Sequence, residues 1–298
     1  MQNKFKGTGV AIVTPFHKDG SIDFKSYEKL INYHINNNVN FLVFLGTTGE
    51  SATINSDERT AIINFATEIV AGRIPVVVGI GGNNTQQIVC AIKETDLSGV
   101  DAILSVSPYY NKPQQAGIYQ HYKTIAGVSP VPVILYNVPG RTGSNIKAET
   151  TLKIAHEVSN IAAIKEASKD LNQITRIIKE KPEGFLVISG DDLFTLPLLA
   201  IGGEGVISVT ANAFPAEFSA MVNYGLNGDY GKARKIHSWL LDIIEAAFAD
   251  GSPSGIKAAL SKKGLCQNAL RLPLVKVNKS VHNQISKILE ELEKQPVL

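Results

Sequence analysis

The chain has 298 residues, 44% of them hydrophobic and 19% charged, which excludes a disordered polypeptide and allows one barrel-sized core, alone or with a small appendage. Lys and Arg number 29 against 27 Asp and Glu, and the resulting net charge of +2 supplies no long-range field that would draw nucleic acid or an anionic membrane. A small-molecule partner is the expectation that remains.

The N-terminal stretch Met1–Phe16 offers only the apolar segment Val10–Val13 before Thr14-Pro15, so neither a signal peptide nor an anchor is expected. No run approaches the roughly 18 apolar residues of a membrane span, and a cytoplasmic protein is the consequence. Eight short apolar, often β-branched runs then recur: Val10–Thr14, Phe41–Leu45, Val76–Ile80, Ala102–Val106, Val133–Asn137, Ile161–Lys165, Leu186–Ser189 and Gly205–Val209. These are predicted strands. Most intervals carry helical spacing, as in Phe24, Tyr27, Leu30, Ile31 and His34, or after Ser56, where Asp57-Glu58 precede Ile62, Phe65, Ala66 and Ile69. Eight near-continuous apolar strands alternating with helices predict an α/β protein, and the count of eight favours a closed (β/α)8 TIM barrel over an open doubly wound sheet.

Beyond residue 225 the strand signal ends. Tyr230, Ala233, Ile236, Trp239, Leu240, Ile243 and Ile244 mark an amphipathic helix, and two more are expected from near Ser254 and Ser280. The predicted organisation is a barrel over residues 1–225 with a C-terminal helical extension over 226–298, packed on it without a Pro/Ser/Gly-rich linker. Cys90 and Cys266 lack metal-type spacing and fall in helix-like segments, which suits reduced core thiols.

In such a barrel the site lies at the carboxyl ends of the strands, so the residues after each run belong together. They are polar and Gly-rich: Gly46-Thr47-Thr48-Gly49-Glu50, Gly79 to Asn83, Ser107 to Asn111, Tyr136 to Gly143, Lys165-Glu166 and Ser189 to Asp192. Lys165 closes the run Ile161–Ile164. Desolvation disfavours an ammonium, so a lysine placed there is a candidate amine nucleophile, the alternative being a side chain that snorkels into solvent. Tyr136, one strand earlier, puts a phenol within reach as proton donor and acceptor. Gly46 and Gly49 fit either a nest of N–H groups for an anion or a tight βα turn. Arg141, in a loop of Pro and Gly, suits bidentate capture of a carboxylate, while period-two alternation puts Glu166 on the face opposite Lys165, where a structural role is expected. Six histidines form no zinc pattern, Gly251 to Lys257 has the wrong spacing for a phosphate loop, and there is no nucleophile elbow or dinucleotide fingerprint. Neither metal nor cofactor is expected.

With these residues assembled, the chain resembles the dihydrodipicolinate synthases of the pyruvate-dependent class I aldolase superfamily, essentially end to end. The motifs that carry the likeness are Gly46-Thr-Thr-Gly-Glu-Ser51, Pro108-Tyr-Tyr-Asn-Lys-Pro113, Tyr136-Asn-Val-Pro-Gly-Arg-Thr-Gly143, Ile164-Lys-Glu-Ala167, Ser189-Gly-Asp-Asp192 and Gly205-Val-Ile-Ser-Val-Thr-Ala-Asn212. The resemblance implies that Lys165 forms a Schiff base with pyruvate and that the derived enamine adds to aspartate-4-semialdehyde. It implies further that backbone N–H groups of Thr47 and Thr48 hold the pyruvate carboxylate and that Thr48, Tyr136 and Tyr110 relay protons. Tyr110 would come from a neighbouring subunit of a homotetramer built as a dimer of dimers. Arg141 would bind the semialdehyde carboxylate, and Gly190 and Ile207 would contact pyruvate. Keto-deoxy-sugar aldolases and N-acetylneuraminate lyases share the lysine and tyrosine; the arginine in the 139–143 loop favours a small carboxylated aldehyde over a neutral polyol. A metabolite-sensing barrel without turnover is the rival from another class. Some relatives bind lysine at a subunit-interface cleft, which here corresponds to Ser51, Ala52, Ser56, Arg59, Asn83, Gln87 and Tyr109. Neutral Gln87 and Ser56 stand where lysine-sensitive members often carry an acidic residue and a histidine, so the resemblance implies feedback that is weak or absent. Ser252-Pro-Ser-Gly255 departs from the family's more proline-rich stretch.

Overall fold

In the computed structural model, which describes residues 2–297, eight parallel strands close in sequence order, with the first paired to the last. The strands are β1 (Gly7–Ala11), β2 (Phe41–Phe44), β3 (Val76–Gly79), β4 (Ala102–Val106), β5 (Val133–Asn137), β6 (Ile161–Glu166), β7 (Leu186–Ser189) and β8 (Gly205–Ser208). Pairing of β1 with β8 excludes the open doubly wound alternative. The helices between strands are α1 (Phe24–Asn36), α2 (Ser56–Val70), α3 (Thr85–Glu94), α4 (Gln115–Val128), the single turn α5 (Pro139–Thr142), α6 (Ala148–Glu157), α7 (Leu171–Glu180) and α8 (Thr195–Ala200). After β8 come α9 (Pro215–Leu226), α10 (Tyr230–Phe248), α11 (Ser254–Lys262) and α12 (Lys279–Lys294).

Local chemistry explains the helix starts. Asp23 accepts from the Ser26 N–H at 3.0 Å and opens α1, which buries Tyr27, Leu30, Ile31 and His34. Asn55 and Glu58 form a capping box at the head of α2, with bonds of 2.9 and 3.1 Å.

Alternation along the strands divides the apolar side chains into two layers. Leu42, Phe44, Val78, Ile103, Leu135, Ile164, Val187 and Val206 belong to the larger layer, which the helices complete. Phe41, Val43, Val77, Leu104, Ile134, Ala163, Ile188 and Ile207 form a second cluster inside the barrel, and Phe5 stacks edge-on against Phe41 with ring centroids 5.8 Å apart.

The first strand is displaced from its expected position. The ladder uses Gly7–Ala11 rather than Val10–Thr14, because Gly9 lies opposite Phe41 and a Cβ there would fall 2.2 Å from that ring. A glycine-rich segment can therefore act as a strand, since a neighbour's aromatic ring occupies the space its own side chain would need. Val13 instead gives its N–H to the Asn212 side chain at 3.1 Å. Cys266 also differs from expectation: it is buried beyond α11, which stops at Lys262 before Gly264 with φ +68°. Both cysteines are free thiols, but Cys90, on α3, is exposed rather than in the core.

The C-terminal helices pack on one another and on the barrel. Ala233, Ile236, Leu240, Ile243 and Ile244 give α10 its buried face, and the Trp239 indole donates to the Gln295 carbonyl at 2.8 Å, tying the end of α12 to α10. No helix among the described residues is long and apolar enough to cross a membrane.

His34 is fully buried on α1, its Nε2 3.2 Å from the Asn212 carbonyl. Burial pushes its imidazole down from 6.5 to about 4, opposed by that hydrogen bond. The unfolded chain takes up this proton near pH 6.5 and the folded chain only near 4, so stability rises with pH across that window and is lost on acidification. Relative to His34→Gln, the parent chain is expected to lose on the order of 3 kcal/mol of unfolding free energy between pH 6.5 and 4, measured by urea titration at each pH.

Candidate active site

Lys165 and Tyr136 are direct Cα partners in the β5–β6 ladder, so their side chains leave the sheet on the same face, into the barrel. Both are buried, Lys165 to 5% exposure, and the lysine Nζ lies 4.3 Å from the centroid of the tyrosine ring. The contact runs through the ring face, and among the described residues no ion pair engages the amine. The snorkelling alternative is excluded by this burial. Gly190, at the end of β7, leaves room for the lysine stem: a Cβ there would sit 3.0 Å from Lys165 Cε and 2.9 Å from the Ala167 Cβ. Ile207 is buried on the inner face of β8, where it belongs to the cluster inside the barrel together with Tyr136.

Glu166, the next residue on β6, faces the opposite way and is committed to structure. Both carboxylate oxygens accept from Asn137 Nδ2 at 3.1 Å, and the group also accepts from the Ser168 N–H at 2.7 Å and Gln173 Nε2 at 3.1 Å. Burial pushes its carboxyl up, and these hydrogen bonds oppose the shift. The network ties β5, β6 and α7 together behind the lysine.

The turn after β2 is built differently from the nest suggested by its glycines. Left-handed backbone occurs at Leu45 (φ 55°) and Glu50 (φ 55°), while Gly46 and Gly49 have no positive φ. Gly49 N–H bonds the Gly46 carbonyl and Glu50 N–H the Thr47 carbonyl, both at 3.1 Å, and Thr14 Oγ1 donates to the Gly49 carbonyl at 2.7 Å. The glycine at 49 suits a close approach, since a Cβ would lie 3.3 Å from the Ile12 carbonyl oxygen. Among the described residues the N–H groups of Thr47 and Thr48 have no hydrogen-bond partner, which leaves two adjacent donors available to an anion. Thr48 is buried and Thr47 exposed.

A cavity of about 400 Å³ opens beside these elements, lined among others by Thr47, Tyr136, Val138, Arg141 and Leu104. Arg141 sits exposed on α5, free of ion pairs among the described residues. Lys165, Thr48, Gly190, Ile207 and Tyr110 are not among its lining residues, and Tyr110 is 88% exposed, on left-handed backbone with φ 74°. Of the seven residues expected at an effector cleft, Ser51, Ala52, Arg59 and Tyr109 line the same cavity, whereas Ser56, Asn83 and Gln87 lie outside its lining. Asn83 Nδ2 bonds the Tyr109 carbonyl at 3.3 Å, and Arg59 bonds the Gly79 carbonyl at 3.1 Å. Ser252, within the departing 252–255 segment, also reaches the cavity. Among the described residues no group of three or more His, Cys, Asp or Glu could hold a metal ion.

Sequence reasoning missed the ion pair behind the β2 turn. The Lys257 amine pairs with the Glu50 carboxylate, and both side chains are fully buried. The available signal was a lysine inside the apolar helix Ile256 to Leu260, which the mismatch to a phosphate loop led away from.

Residues 4–292 match the family model described as the dihydrodipicolinate synthetase family. Similar proteins include the 4-hydroxy-tetrahydrodipicolinate synthases of Parabacteroides distasonis, 50% identical over 96% of this chain and 97% of the relative, and of Flavobacterium psychrophilum, 49% identical over 97% and 99%. The crystal structure of dihydrodipicolinate synthase from Aquifex aeolicus superposes with a TM-score of 0.94 at 39% identity, covering 97% of this chain and 98% of that one.

Replacing Glu166 by Ala leaves the buried donors of Asn137, Ser168 and Gln173 without their shared acceptor. The expected cost is on the order of 3 kcal/mol of unfolding free energy, read from denaturant titration, with a smaller loss for Glu166→Gln, which keeps one acceptor oxygen.

Proposed function

The chain belongs to the dihydrodipicolinate synthetase family, and we propose that it condenses pyruvate with L-aspartate-4-semialdehyde to 4-hydroxy-tetrahydrodipicolinate, a step of diaminopimelate and lysine biosynthesis. The observation that carries this reading is the Lys165 amine, buried inside the barrel against Tyr136 at the carboxyl end of its strand.

The Lys165 nitrogen attacks the keto carbon of pyruvate, and loss of water leaves a protonated imine. That iminium withdraws electrons from the adjacent methyl group, whose proton departs to give an enamine. The enamine carbon forms the new bond to the aldehyde carbon of the semialdehyde, whose oxygen takes up a proton. The amino group of the second substrate then attacks the imine carbon and displaces Lys165, closing the ring and returning the free amine. One water is released overall. The iminium is the electron sink, so the reaction as written requires neither metal nor nucleotide.

Tyr136 is the group placed to move protons at Lys165, with Thr48 and Tyr110 completing the relay. The free N–H groups of Thr47 and Thr48 hold the pyruvate carboxylate, with Gly190 and Ile207 shaping the space around its methyl group. Arg141 takes the carboxylate of the semialdehyde as a bidentate partner. Tyr110, exposed in the single protomer, serves a neighbouring site in this reading, so the working unit is a dimer within a homotetramer built as a dimer of dimers. We place the protein in the cytoplasm. The cleft residues Ser51, Ala52, Ser56, Arg59, Asn83, Gln87 and Tyr109 offer no carboxylate for a lysine ammonium, and lysine regulation is accordingly weak or absent.

Treatment with pyruvate and borohydride is expected to add a pyruvyl mass to the Lys165 peptide. Mass spectrometry that finds the peptide unmodified removes the Schiff-base mechanism, and absence of turnover with aspartate semialdehyde beside turnover of a keto-deoxy sugar acid reassigns the second substrate. Arg141→Ala is expected to lower kcat/KM for the semialdehyde roughly thirtyfold, about 2 kcal/mol, while leaving pyruvate trapping intact. Steady-state kinetics with each substrate varied in turn check this.

A further inference from the structure

The turn that offers the Thr47 and Thr48 N–H groups is held from behind by residues far away in sequence. Glu50 closes it through its own N–H, bonded to the Thr47 carbonyl at 3.1 Å, and adopts left-handed backbone that a glutamate rarely visits. Its side chain is fully buried. One carboxylate oxygen pairs with the Lys257 amine on α11, and the other accepts the Arg271 N–H at 3.1 Å. Lys257 is itself fixed by a second bond, 2.9 Å to the Ala269 carbonyl, and by the face of Phe16, 4.3 Å from its Nζ. On the other side the Arg271 guanidinium lies 4.4 Å from the same ring, donates to the Gly20 and Thr53 carbonyls and pairs with Glu58.

Burying an ion pair is a poor route to stability, because desolvation of both charges offsets most of their attraction. A buried pair whose two partners are each held by a further hydrogen bond does fix one backbone geometry. Here that geometry is the turn carrying the two unpartnered N–H groups, and the segment around Lys257 also borders the cavity through Ser252, Pro273 and Leu274.

We propose that Lys257 is a positioning residue for pyruvate binding: through Glu50 it holds the Thr47–Glu50 turn in the shape that aims both N–H groups at the keto acid's carboxylate. The inference rests on the Schiff-base reading above and adds to it a role for the C-terminal helices in first-substrate recognition.

The test uses the full chain with Lys257→Met, which keeps length and removes charge, and the double variant Lys257→Met/Glu50→Gln, which leaves no buried ion unpaired. Borohydride trapping at Lys165 is measured against pyruvate and against hydroxyacetone, a ketone without a carboxylate. For Lys257→Met the half-saturating pyruvate concentration is expected to rise about tenfold or more, with hydroxyacetone trapping within about threefold of the parent. The semialdehyde KM at saturating pyruvate should likewise stay within about threefold. Equal losses with both ketones, or an unchanged pyruvate dependence, overturn the inference. If the single variant does not fold, the double variant carries the same measurement; its failure to fold marks the pair as a folding requirement and also overturns the proposal. Failure of the parent chain to trap pyruvate sinks the Schiff-base reading instead.

Discussion

Everything at this site follows from the pairing of Tyr136 with Lys165 across two adjacent parallel strands. In a closed barrel alternate residues enter an interior with no solvent face of its own, so two residues that share a register position and the inward face must pack together. The amine therefore meets the tyrosine ring because the ladder leaves it no other place. The contact persists only while the β5–β6 register holds, and that register contains an irregularity at Val133/Ile134, where Ile161 and Ala163 pair with successive residues of β5. Past that point the ladder runs without interruption to Asn137 and Glu166. The Glu166 network on the outer face joins the same two strand ends, so the polar bonds behind the sheet guard the contact in front of it.

Much of this was legible in the sequence because period and polarity speak directly. Strands β4, β5 and β7 match their apolar runs residue for residue, and Lys165 and Glu166 fall on the faces that alternation assigns. The parts that were not legible depend on partners distant in the chain. Gly7–Ala11 reads as loop until Phe41 is known to fill the space over Gly9. Gly46 and Gly49 suggest positive φ, yet the left-handed positions are Leu45 and Glu50, and the Glu50 carboxylate is held by Lys257 some two hundred residues away. A local window shows Lys257 as a lysine inside an apolar helix but does not name Glu50 as its partner.

Tyr110 stands apart from this network, 88% exposed and on left-handed backbone. The exposed tyrosines Tyr109 and Tyr110 follow the end of β4, and Tyr109 borders the cavity.

Three buried carboxylates stand at the strand-end rim, and none of them forms an ion pair with the Lys165 amine. Glu50 fixes the β2 turn, Glu166 joins β5 to α7, and Asp192 accepts from the Thr210 N–H and hydroxyl, both at 2.7 Å, and from the Val209 N–H at 3.2 Å, holding the turn after β8. Each carboxyl group is committed to fixed donors that order a loop. Such loops keep their dipoles in place through the reaction, so charge that develops on substrate meets an environment already oriented for it. A carboxylate left free beside the lysine would instead pair with its ammonium and oppose the neutral amine that imine formation needs. The rim thus uses these acidic residues as scaffolding, while Lys165 and Tyr136 face an apolar interior together.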